Sequence, residues 1–150
     1  MKTKLSILLG AALLGMAAVG AWAADVSLPV HGATDAAGRK VLTFIAKDPP
    51  GVRCNGNLQV AAEVANTYRV PIQLIPSSLA PNLPAPSVFY GNQMLAADGK
   101  DHNGAVTFQM VSDVLEVEGV PKQAKEGLLF NANVRRNFDG LKDSIKSGGK

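Results

Sequence analysis

Cysteine is nearly missing from this chain of 150 residues, which has one, Cys54. A single thiol cannot close a disulfide within the chain, and it cannot run a two-thiol redox cycle. Histidine is almost as scarce, with His31 and His102 alone. Neither stands at a ligand spacing such as i, i+4 from the other or from Cys54, Met94 or Met110, so no metal site is expected. Asp98 to Gly104 lacks alternating acidic ligands, which excludes a calcium loop. Aromatic residues make up 5% of the chain. With no basic stripe either, nucleic acid is not an expected partner. The chain has no Gly-x-Ser-x-Gly and no phosphate-binding loop, and no cofactor is expected. After Val30 no apolar run is long enough to span a bilayer.

The segment that is present first, Met1 to Ala23, has the layout of a secretory signal peptide. Lys2 and Lys4 form a positive start, Leu5 to Val19 an apolar stretch, and Ala21-Trp22-Ala23 a small-x-small cleavage site. The expected product begins near Ala24 and is exported, periplasmic or secreted. Loss of Lys2 and Lys4 lowers the net charge from +3 to +1. About 127 residues then remain, enough for one domain with a real core.

Residues 24–40 read as an extended N-terminal lead-in with one short strand at Val26 to Val30. Residues 41–120 read as the core. Val41 to Ala46 is a compact apolar, β-branched run expected as a central strand, and Lys47-Asp48-Pro49-Pro50-Gly51 is a loop signal. Leu58, Ala61, Ala62, Ala65 and Tyr68 fall on one face of a predicted helix from Leu58 to Arg69. Asn55 or Asn57 is its expected N-cap. Pro71 to Ile75 is a second predicted strand. Four prolines stiffen residues 76–86. Ser87 to Tyr90 and Gln93 to Ala96 then flank Gly91-Asn92 as a predicted hairpin. Thr107 is the expected N-cap of a helix from Phe108 to about Glu118. Residues 121–150 are an appendix: a short strand at Gly127 to Phe130, then an amphipathic helix carrying Val134, Phe138, Leu141 and Ile145, ending in a frayed tail.

The order is strand, loop with Cys, helix, strand, proline-rich loop, hairpin, helix. Phe44-Ile45-Ala46 ends a central strand, Cys54 precedes a long helix, and Ala85-Pro86-Ser87-Val88 leads into the hairpin. In these features residues 40–118 resemble the thioredoxin-like superfamily. The resemblance implies an α/β sandwich: a mixed sheet of four or five strands, helices on both faces, and here an extra C-terminal helix. It also implies a cis bond before Pro86, facing Cys54. The family's Cys-x-x-Cys is degenerate in this chain. Either Cys54-Asn55-Gly56-Asn57 occupies the motif and the second Cys is lost, or Gly51-Val52-Arg53-Cys54 does and the first, attacking Cys is lost.

A Cys at a helix N-terminus is favoured as thiolate by the dipole and the free N–H groups, and a neighbouring Arg53 adds to this. One thiolate suffices to attack a disulfide. The polar flanks Arg53, Asn55, Gly56 and Asn57 argue for an exposed sulfur, and the alternative is a small, buried, inert apolar residue left from a degenerate redox site. Cys54 is thus the candidate thiolate, with Arg53, Asn55, Asn57, Ala85 and Pro86 as candidate binding residues. Two functions follow: monothiol exchange or partner binding at the Cys54/Pro86 edge, or a non-catalytic accessory or assembly module for an exported redox or metal enzyme. The expected partner is an exported protein or peptide, and a Cys54-linked homodimer is one expected product. Whether the chain is an enzyme stays open. A copper carrier using Cys54 with Met or His is a third, weaker class.

Overall fold

A computed structural model describes residues 34–148. The expected signal peptide, the expected strand at Val26 to Val30, His31 and the last two residues lie outside the described residues. The fold is α/β, with a four-stranded mixed sheet in the order β2-β1-β3-β4. Strand β1 (Leu42–Ala46) is buried along its whole length, as its unbroken apolar run predicts. It pairs in parallel with β2 (Ile72–Pro76), Leu42 opposite Ile72. On its other side it runs antiparallel to β3 (Ser87–Tyr90). A turn at Gly91, where φ is +55°, connects β3 to the edge strand β4 (Gln93–Ala97).

Side chains alternate across the sheet. Leu42, Phe44, Val88 and Tyr90 join one core cluster with Val60, Val64, Tyr68, Val111 and Leu115. The last five come from helices α1 (Val52–Thr67), its cap Tyr68, and α2 (Phe108–Val117). Both helices therefore cover the same face, against the expectation of helices on both. Apolar residues of the two helices meet in one cluster, so α2 returns beside α1 rather than crossing beneath the sheet. Ile45, Ile75 and Phe89 point the other way and are covered by Ala80, Leu83 and Ala85 of the proline-rich segment, which includes a single 3₁₀ turn at Ser77–Leu79.

Thr107 caps α2 as its chemistry predicts, its side chain accepting from Met110 N–H at 3.2 Å. Helix α1 departs from expectation. It begins at Val52, not Leu58, and its N-cap is Gly51, with no side-chain cap. Asn55 points its amide back to the carbonyls of Pro50 and Gly51, each at 3.2 Å, and Asn57 is engaged elsewhere. No proline stands between Val52 and Leu58, and the cost of Gly56, about 1 kcal/mol, does not stop the helix from propagating back to the proline-rich turn.

The stretch predicted as a strand at Gly127 to Phe130 is instead a 3₁₀ turn, Leu128–Phe130. It packs against α1 and the helix that follows it. Helix α3 (Ala132–Lys146) follows, capped by Asn131, and packs against α1 and that turn. None of its residues is fully buried.

Candidate functional site

Cys54 lies in the first turn of α1, and only 2% of its surface is exposed. Its sulfur accepts a hydrogen bond from Lys47 N–H, 3.2 Å away, where the chain leaves β1. This corrects the expectation of an accessible thiol. The polar flanking residues that predict exposure turn to other partners, while the third position of the helix points inward. A Cys54–Cys54 bridge between chains therefore requires the sulfur to be uncovered first.

The flanking residues bind the loop that follows β4. Arg53 makes a bidentate pair with Asp98, at 2.6 and 3.2 Å, and also donates to the carbonyl of Asn103. The pairing holds the Asp98 carboxyl below the usual carboxylate range and raises the Arg53 guanidinium, in each case chiefly through the side-chain hydrogen bond between them. Lys47 adds a longer contact to Asp98 at 3.9 Å. Asn57 is buried and satisfied at both ends: its amide donates to Gly104 O at 2.8 Å and accepts from Val106 N–H at 2.9 Å.

Pro86 closes the arrangement. The Ala85–Pro86 bond is cis, and Pro86 is fully buried. Its carbonyl accepts from Asp98 N–H at 2.8 Å. Gly104, at φ +73°, packs against that same carbonyl so closely that a Cβ would sit 2.1 Å from the oxygen. Only glycine satisfies both demands. The sequence-predicted residues Arg53, Cys54, Asn57 and Pro86 are thus brought into one region, joined through residues 98–106. Asn55 is half-exposed and faces away from that loop toward the preceding turn. Ala85 belongs to the small cluster on the opposite face. His102 is exposed in the loop, its Nδ1 accepting from Gly104 N–H at 2.9 Å. It shapes a turn, and no cluster of three metal-ligating residues occurs among the described residues.

A second feature lies beside this seam. Helix α3, the start of α2 and the first half of α1 enclose a cavity of about 300 Å³, and Arg53 and Asn57 are among its lining residues. Gln59 is among the lining residues, with both amide atoms buried and unpaired, and one helical turn further along α1 stands the buried Glu63. Glu63 receives Lys142 of α3, with Arg135 at 3.8 Å. Asp98, Gln59 and Glu63 were not singled out from the sequence. The signal was there for the last two: polar residues spaced i, i+4 inside an otherwise apolar helical stretch require a partner element on that side. Asp98 carried none, since an acid in a polar loop is ordinarily solvated. No family model matches the chain, and neither a curated protein nor a solved structure matches it.

Proposed function

We propose that this chain is an exported, thioredoxin-like module that works by holding a partner protein and not by thiol chemistry. One observation carries the reading: the single thiol is buried and accepts a hydrogen bond from Lys47 N–H, while its neighbours Arg53 and Asn57 tie down the loop after β4. The start of α1 supports the second alignment of the degenerate motif. Gly51 takes the exposed N-cap position of the attacking thiol, and Cys54 the inner position. A thiol this buried has no entry for a disulfide substrate without local opening of the structure around it. What remains is an ordered surface, on which an accessory or assembly role rests.

The test is thiol labelling of the purified protein. In native buffer Cys54 resists a maleimide on a timescale that labels it fully in denaturant, non-reducing gels show no reducible dimer, and Cys54→Ala keeps the biological activity. Rapid stoichiometric labelling of the native protein, or loss of activity in Cys54→Ala with the fold intact, overturns this reading in favour of monothiol exchange.

A further inference from the structure

The chain has two Asn-Gly pairs, Asn55-Gly56 and Asn103-Gly104. In such a pair the glycine's backbone nitrogen can attack the asparagine side-chain carbonyl, because no Cβ crowds its approach. The fold treats the two pairs differently. Gly56 lies inside α1, where the helix ladder occupies its N–H and fixes the backbone. Asn103-Gly104 lies in the loop after β4, with Asn103 exposed to water and Gly104 buried. Glycine is compulsory at position 104, since a Cβ there would sit 2.1 Å from the Pro86 carbonyl oxygen.

Three contacts converge on this one pair. Gly104 N–H donates to His102 Nδ1 at 2.9 Å, within reach of proton transfer. An Nδ1 that accepts carries its lone pair toward that proton. Arg53 donates to the backbone carbonyl of Asn103, the oxygen that takes up negative charge when Gly104 N loses its proton. Ala105 N–H donates to Asn103 Oδ1 at 3.0 Å, the oxygen that becomes an oxyanion when the side-chain carbonyl is attacked. A base and two charge-stabilising donors thus surround a nucleophile already joined to its target.

From this convergence we propose that Asn103 is a self-modification site, which the chain converts to aspartate and isoaspartate with His102 as the base. His102 Nδ1 takes the Gly104 proton, and Gly104 N forms a bond to Asn103 Cγ. The Cγ–Nδ2 bond then breaks, and the proton passes from His102 to Nδ2, which leaves as ammonia. Water opens the resulting succinimide at either carbonyl. Opening at the former backbone carbonyl leaves a free carboxylate where Arg53 donates, so a charge-assisted contact replaces a weaker one and favours isoaspartate. Arg53 is then shared between Asp98 and the new carboxylate. The site goes beyond the partner-holding reading above and does not depend on it.

The test is incubation of the full exported chain in neutral buffer, with peptide mapping by mass spectrometry and enzymatic methylation to score isoaspartate. In the native protein Asn103 is expected to convert about tenfold faster than Asn55, and mainly to isoaspartate. His102→Asn puts an acceptor that is no base near the place of Nδ1, on an exposed residue. It should slow conversion of Asn103 about tenfold, below the usual contribution of a positioned base because solvent hydroxide competes. Its thermal midpoint should match the parent's. In denaturant the two pairs should convert at similar rates, and parent and variant should no longer differ. An Asn103 that stays an amide while Asn55 converts overturns the site. Equal native rates for parent and His102→Asn overturn the role of His102, and a difference that persists in denaturant overturns the dependence on the folded arrangement.

Discussion

The sheet with α1 and α2, and the C-terminal helix α3, are held by different physics. In the first region the contacts are apolar and complete: Leu42, Phe44, Val64, Val88, Val111 and Leu115 are all removed from water. In the second no residue of the helix is fully buried, and one contact is ionic, Lys142 reaching the sequestered carboxylate of Glu63. Dense apolar packing gives a unit that opens only by unfolding, whereas a helix fixed by a few partly exposed contacts opens locally at lower cost. The lesson is that the buried charge of Glu63 fixes where α3 sits more than how strongly it is held, because a buried pair roughly trades Coulomb attraction for desolvation.

The comparison breaks most sharply by cavity formation. Phe44→Ala is expected to cost about 3–5 kcal/mol, while Leu141→Ala on α3, where the side chain is 53% exposed, stays within about 0.5 kcal/mol. Denaturant midpoints of the two variants check this, and similar shifts would mean that α3 belongs to the cooperative core. Lys142→Ala is next in size, at about 1–3 kcal/mol, since it leaves Glu63 to the more distant Arg135. Its effect should be local. Hydrogen exchange should accelerate across residues 132–146 and leave β1 and β3 protected.

Acid provides the third and smallest perturbation. The folded Asp98 carboxyl is held low by Arg53, so its contribution is intact above about pH 4 and is lost as the pH falls through its folded value. Amides of residues 98–106 should therefore lose protection in acid before those of the sheet do. Asp98→Asn should remove that pH dependence while weakening the loop at neutral pH.

The element order was legible because each signal was local. The apolar run at β1, Pro71 before β2, Gly91 at the hairpin turn and Thr107 at the start of α2 act within a few residues of themselves. The site was less legible because its contacts are distant in the chain. Nothing near Arg53 announces that its partner is Asp98, and nothing near Asn57 announces Gly104 and Val106. The exposure of Cys54 was misread for the same reason. Polar neighbours imply solvent only when no loop returns to engage them, and here one does. The two-faced arrangement of helices was misjudged because amphipathicity shows that a helix has a buried side but not which face of the sheet receives it.

The N-cap of α1 has a consequence for substitution at position 51. Gly51 has φ −85° and ψ −172°, extended backbone that any residue adopts, and a Cβ built there meets nothing within 4 Å. Gly51→Cys would place a second, exposed thiol three residues ahead of the buried one, recreating a Cys-x-x-Cys at a helix start. No rearrangement of the strands, the 98–106 loop or Pro86 is required for it. By that measure a pair of thiols three residues apart lies one substitution away.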